Sequence, residues 1–383
     1  MKIGVPKEIK NHEYRVGVTP DGVMELSQLG HEVMIETNAG AKIGFTNKDY
    51  RNAGAVISAN AAEVYANELV VKVKEPQNTE YEYLKNSEML FTYLHLAPDP
   101  SLTQNLLDSN IIGIAYETVT DSQNRLPLLT PMSEVAGRIA IQAGANALQM
   151  ASGGRGVLLG GVPGVCPANV IIIGGGIVGT QAAKMALGLG ARVSILDINM
   201  DRLRYLDDIF QGNVTTLYAS PSNINAVVKS ADLLIGAVLI PGKQAPKLIT
   251  RQHIKSMQTG AVFVDVAIDQ GGCAETSKPT SHAESIYVID DVVHYCVANM
   301  PGACARSATL ALTNVTLPYV KNLASDGFFQ ALSNDNGLLN GLNLYKGKVT
   351  NHNVAEDLGY EFHNPNEILT LSSKQYPDIK KSA

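Results

Sequence analysis

Residues 170–197 read VIIIGGGIVGTQAAKMALGLGARVSILD. A run of β-branched residues meets Gly174, Gly176 and Gly179, spaced as GxGxxG; a small-residue helical pattern follows, and a second apolar run ends on Asp197. Strand, glycine turn, helix and strand in this order form the βαβ unit that holds a dinucleotide. The first glycine permits the tight turn, the second lets backbone approach a pyrophosphate, and the third lets the helix pack on the strand with its N-terminus toward the anion. Without those flanks the glycines would say no more than "turn". Asp197 stands 197 − 179 = 18 residues beyond the third glycine. A carboxylate there accepts hydrogen bonds from the ribose hydroxyls and repels a 2′-phosphate, which selects NAD over NADP. The plainer reading is an N-cap for the helical stretch INMDRL.

The rhythm extends in both directions. Downstream, VTTLY (214–218), ADLLIGAV (231–238) and AVFVDVA (261–267) continue a six-strand Rossmann unit. Upstream, KIGV (2–5), HEVMI (31–35), LVVKV (69–73), MLFTYL (89–94) and IIGIAY (111–116) alternate with amphipathic stretches such as 20–29 and 101–109. Apolar runs this short suit buried parallel strands. The expectation is an α/β protein of two doubly wound parallel-sheet domains with a cleft between them. A helix is predicted over 133–151 with Ser133 as N-cap, followed by the glycine-rich joint SGGRGVLLGGVPG (152–164). Past Pro301 a long helix over 303–324 should leave the Rossmann unit, and the tail should return to the first domain. The predicted domains are 1–130 plus 303–383, and 131–302.

The composition agrees. At 383 residues the chain is about twice a typical domain. With 45% apolar and 17% charged residues it should pack two cores, and a formal charge of −6 gives no footing for nucleic acid or an anionic membrane. Cys166, Cys273, Cys296 and Cys304 lack CxxC spacing, so neither a disulfide framework nor a metal site is expected. No run approaches the roughly 18 apolar residues of a membrane span, and the start MKIGVPKE is not a leader, so a cytoplasmic protein is expected.

The stretch GVPKEIKNHEYRVGVTPDGVMELSQLG (4–30) resembles the N-terminal signature shared by alanine dehydrogenases and the NAD-binding subunit of proton-translocating transhydrogenases, with Gly17 where alanine is usual. KVKEP (72–76), FTYLHLA (91–97), TPMSEVAGR (130–138) and DVAIDQGG (265–272) are similar to alanine dehydrogenase. The transhydrogenase subunit has a different loop at 130–138, and Glu-Ala-Gly-Gly in place of Asp269, Gln270, Gly271 and Gly272. The resemblance spans residues 1 to about 370. It implies NAD-dependent oxidative deamination of L-alanine to pyruvate and ammonia, the reverse amination, a role in alanine catabolism, and a homohexamer. The alternatives are a dehydrogenase for another small amino acid and the transhydrogenase subunit, which needs a membrane partner.

The resemblance also implies a site. Arg15 would bind the substrate carboxylate through its planar fork, its alternative being an exposed basic residue. Lys74, at the end of an apolar strand, would hold the carboxylate or polarise the carbonyl oxygen. Lys72, on the same strand face, is assigned to solvent or to packing of its stem. His95 would shuttle the proton. Asp269 would orient water or ammonia and share the acid–base work; its alternative is a turn aspartate. Cofactor contacts carried over are Ser133 with neighbouring Met132, Ser220, Val238 and Leu239, Asn299, and Met300 over the nicotinamide. Val238 and Leu239 read equally well as core. Cys304, Ala305 and Ala308 stand where valine, proline and serine are usual, which should alter helix initiation.

Overall fold

The computed structural model describes residues 1–238 and 245–375. Its contacts divide the chain into two compact units, Met1–Pro131 with Ala305–Ala383, and Met132–Cys304. The first unit begins with six parallel strands: β1 (Lys2–Val5), β2 (Glu32–Glu36), β3 (Val56–Ser58), β4 (Leu69–Val71), β5 (Met89–Thr92) and β6 (Ile112–Ala115). They lie in the order β6-β5-β4-β1-β2-β3. Strand order thus reverses between β1 and β4. The inner strands β4, β5 and β6 are buried at every residue and, Thr92 apart, carry no polar side chain, as strands covered on both faces must. The helix Pro20–Gln28 follows β1; Thr19 caps it by accepting from Gly22 N, and Pro20 occupies a first-turn position that needs no N–H.

The second unit holds β7 (Asn169–Ile173), β8 (Arg192–Asp197), β9 (Thr215–Tyr218), β10 (Leu233–Gly236), β11 (Val262–Asp265), β12 (Ile286–Ile289) and β13 (Val292–Tyr295), ordered β12-β13-β11-β10-β7-β8-β9. Without the antiparallel edge strand β12 this is the doubly wound Rossmann order, with its switch point between β7 and β10. Two apolar clusters pack this sheet, one including Val170, Ile172, Leu233 and Val264, the other Ile171, Ile173, Leu234 and Phe263. Successive residues of one strand therefore face opposite layers.

The chain then returns to the first unit. A 3₁₀ segment, Met300–Cys304, leads into the helix Ala305–Asn334, which is broken at Gly327 (φ 75°, ψ 166°). Two antiparallel strands, β14 (Leu342–Tyr345) and β15 (Lys348–Val349), complete an eight-stranded sheet beyond β6.

The α/β class and both doubly wound sheets match expectation, and several local readings do not. The helix expected from Ser133 spans Thr130–Ala147, so Ser133 lies in its first turns and caps nothing. β3 and the β14–β15 hairpin were not foreseen. Helix initiation without the usual proline occurs directly at Ala305, on the preceding 3₁₀ turn. Among the described residues no helix is long and apolar enough to cross a membrane.

Candidate functional site

In open α/β sheets ligands bind beyond the carboxyl ends of the strands, near the point where strand order reverses. The candidate residues follow that rule in each unit. In the first, Arg15 follows β1, Lys74 follows β4 and His95 follows β5. In the second, the glycine loop follows β7, Asp197 ends β8, Ser220 follows β9, Val238 follows β10, Asp269 follows β11 and Asn299 follows β13.

Arg15 is 2% exposed, which removes the reading of a surface cation. Its Nε donates to Glu13 Oε1 at 2.8 Å and its Nη2 to Glu13 Oε2 at 2.5 Å. Glu13 thus occupies the Nε–Nη2 edge. Burial by itself would lower the guanidinium pKa; the hydrogen bond and charge of Glu13 outweigh it and raise the pKa. Gly17 lets this loop run close over β4: a methyl group there would sit 2.6 Å from Val71 O.

β4 ends at Val71, so Lys72 and Lys74 lie beyond it and share no strand face. Lys74 is half-buried. Of the two readings of Lys72, solvent or packing of its stem, burial removes the first, and the ammonium is buried along with the stem. Lys72 is 1% exposed, with Nζ 3.3 Å from Glu8 Oε2 and 2.8 Å from Glu80 Oε1. The cause is chemical: an ammonium enters a core only if carboxylates come with it. Burial opposes the charge on Lys72, but Glu8, Tyr65 and Glu80 hold its pKa well above the ordinary lysine value. Glu8 is raised, first by burial and then by Glu13, against the pull of Lys72.

His95 is exposed and adopts φ 48°, a left-handed conformation rare for histidine. Glu117, just past β6, accepts from His95 N at 2.6 Å and from Leu94 N at 3.1 Å, and its Oε1 lies 3.8 Å from His95 Nδ1. The imidazole stacks on Tyr93 with ring centroids 5.8 Å apart, and the Tyr93 hydroxyl donates to Leu128 O at 2.6 Å. Tyr93 in turn lies close enough to Arg15 to feel its charge. Sequence reasoning missed Glu8, Glu13 and Glu117. The first two stand in the quoted N-terminal stretch, and Glu117 follows the apolar run IIGIAY, where a strand-end carboxylate was legible.

In the second unit, Gly174 has φ 104°, and a methyl group on Gly179 would lie 1.9 Å from Gly174 O. Gly176 is exposed, and a methyl group on it would meet nothing within 4 Å among the described residues; it precedes the helix Ile177–Gly188, whose N-terminus has no side-chain cap. Open space above uncapped N–H groups fits a pyrophosphate. Asp197 Oδ2 accepts from Gly175 N at 2.7 Å and Oδ1 from Asn199 N at 2.8 Å. The cap of the following helix is Asn199, which settles the alternative reading of Asp197. Arg202 Nη2 donates to Thr180 Oγ1 at 2.6 Å, and Arg202 Nε donates to Gly175 O, tying the loop from its other side.

Asp269 is exposed in the 3₁₀ segment Val266–Gln270, and its carboxylate accepts from Asn299 N at 3.2 and 3.3 Å. Asp265, fully buried, anchors that segment by accepting from Ala267 N, Cys273 N and Ser277 Oγ. Ser220 caps the helix Pro221–Val228. Val238 packs partly buried on one of the cores. Met300 is 2% exposed and belongs to the other core, so its side chain is packing and not a cover displayed to a ring. Leu239 lies outside the described residues.

Comparison with known proteins follows the same division. The family models "Alanine dehydrogenase/PNT, N-terminal domain" and "Alanine dehydrogenase/PNT, C-terminal domain" match residues 4–136 and 140–352. The chain is 56% identical over 363 residues to an alanine dehydrogenase of Halomonas elongata, covering 94% of this chain and 98% of that protein. A solved L-alanine dehydrogenase superposes with TM-score 0.91 at 51% identity, covering 94% of this chain and 99% of that one. A transhydrogenase from Sinorhizobium meliloti shares the fold, with TM-score 0.78 over 92% of this chain and 99% of that one, at only 21% identity. Similarity that runs nearly end to end at more than half identity decides the matter, and the chain belongs to the alanine dehydrogenase family.

Proposed function

We infer that the protein is an NAD-dependent L-alanine dehydrogenase: L-alanine, NAD⁺ and water give pyruvate, ammonium, NADH and a proton, and the reaction runs in both directions. The near-full-length likeness to L-alanine dehydrogenase carries this reading. The glycine loop and Asp197 supply what the dinucleotide needs, namely an open helix N-terminus for the pyrophosphate and a carboxylate for the ribose. Ser133, Ser220, Val238, Leu239, Asn299 and Met300 are assigned to the same cofactor, Met300 through its backbone.

When bound, NAD accepts hydride from the alanine Cα. The chain supplies geometry and charge. Arg15, fixed by Glu13, holds the substrate carboxylate, and Lys74 holds the carboxylate or the developing carbonyl oxygen. His95 exchanges the proton of the amine or oxygen, with Glu117 holding its backbone in place. Asp269 orients the water that replaces nitrogen, or the ammonia of the reverse reaction. The first unit is the substrate domain and the second the cofactor domain. We further place the enzyme in the cytoplasm, as a homohexamer.

The deciding assay is NADH formation by the purified protein. L-Alanine with NAD should give steady turnover, whereas D-alanine and NADP should give almost none. Glycine should be a weak substrate, since one methyl group contributes about 1–3 kcal/mol. Absence of L-alanine-dependent NADH formation would remove the reading.

A further inference from the structure

We infer that Glu8 is a positioning residue for Lys74, acting through the backbone on which Lys74 is mounted. The inference rests on reading Lys74 as a ligand of the substrate.

Beyond β4 the backbone still bonds to the β5 segment through Lys72 N, which donates to Phe91 O, and Val73 O, which accepts from Tyr93 N, but the N–H groups of residues 73 and 74 need a partner elsewhere. Glu8 Oε1 takes both, at 2.7 Å from Val73 N and 3.2 Å from Lys74 N. On the other side of the same residue, Lys74 O accepts from Thr92 Oγ1 at 3.0 Å. Lys74, half-buried, is thereby held through both of its backbone groups.

The grip is itself anchored. Glu8 Oε2 lies 3.3 Å from Lys72 Nζ, and Lys72 Nζ donates to Glu80 Oε1 at 2.8 Å. Glu80 Oε1 accepts from Tyr65 OH at 2.8 Å and Glu80 Oε2 from Gln77 N at 2.7 Å. Glu8, Lys72, Glu80 and Thr92 are all buried, so water cannot replace a lost partner. Lys72 supplies the countercharge that lets a carboxylate stand in the core, and the carboxylate sets the path of the chain two residues later. A lysine whose backbone shifts by about 1 Å presents its ammonium to the wrong place and loses its hold on the substrate carboxylate.

Because Lys74 would grip the carboxylate in both ground and transition states, the effect should fall on KM for L-alanine and not on kcat. Glu8→Ala should raise that KM about 10-fold or more, with kcat and KM for NAD within about 2-fold. Glu8→Gln keeps an oxygen for both backbone N–H groups and should return KM to within about 3-fold of the parent. Thr92→Val, nearly isosteric, removes the opposite grip and should raise KM about 2- to 5-fold. Lys74→Met is the reference arm and should raise KM about 100-fold or more. If Lys74→Met leaves KM unchanged, the reading of Lys74 fails and the inference with it. If Lys74→Met raises KM while Glu8→Ala does not, or if Glu8→Gln is as impaired as Glu8→Ala, the role of Glu8 alone is overturned. Should Glu8→Ala not fold, an unchanged KM in Thr92→Val overturns it.

Discussion

His95 combines a left-handed backbone, an exposed ring and a buried-side anchor in Glu117. Such a conformation is unfavourable for histidine and persists where the surroundings impose it, often at functional sites. His95→Ala should lower kcat by about 10²- to 10⁴-fold, read in steady-state NADH formation; unchanged turnover would take the imidazole out of the mechanism. Lys72 makes a different prediction. Lys72→Met leaves two buried carboxylates without their cation and should cost about 3–5 kcal/mol in urea unfolding, far more than a surface lysine would. A third residue governs pH dependence. His294 is fully buried, with Nδ1 donating to Val292 O and Nε2 2.9 Å from Thr276 Oγ1. Burial lowers its pKa, against the opposing pull of Val292 O, Asp265 and Asp290. With the folded pKa below the unfolded one, the unfolded chain binds a proton that the folded chain refuses once pH drops under about 6.5. Stability should therefore decline from pH 7 to 5.5, and His294→Gln should make that decline shallower in thermal melts.

At the scale of elements, the β7–glycine loop–helix unit separates two roles that one motif conceals. Gly179 is needed by the fold, because any Cβ would strike Gly174 O. A methyl group on Gly176 would meet nothing within 4 Å among the described residues. Gly179→Ala should lower the melting temperature and weaken NAD binding together. Gly176→Ala should leave the melting temperature almost unchanged while raising KM for NAD, since the added methyl enters the space assigned to the pyrophosphate. Equal destabilisation by the two substitutions would count against that assignment. Helix starts at this scale obey the caps more than the periodicity. Asn199, Ser220 and Thr19 each accept from the first turn they precede, whereas the helix expected from Ser133 begins at Thr130.

At the scale of the whole molecule, two sheets of the same parallel order, β6-β5-β4-β1-β2-β3 and β13-β11-β10-β7-β8-β9, each present candidate residues at the strand ends that flank the order reversal. The similarity is topological and no sequence repeat announces it, because buried parallel strands ask only for apolar, β-branched residues. The assembly is open to direct measurement. Light scattering on the purified protein should give six times the 40.9 kDa chain mass. A monomer at working concentration would refute the hexamer and leave the fold untouched.

The order of the residues by itself determined the class of fold, the Rossmann unit after Val170 and the identity of the dinucleotide turn, because each depends on local spacing: apolar runs of strand length, three glycines, and an acid at the next strand end. Only the tertiary structure decided which charges enter the core. Lys72 and Lys74 are two residues apart and alike in sequence, yet one is sealed between Glu8 and Glu80 and the other is half-exposed. It also turned Met300 inward and gave one edge of Arg15 to Glu13. Burial and pairing are set by what residues far along the chain bring to the same place, and neither composition nor periodicity carries that information.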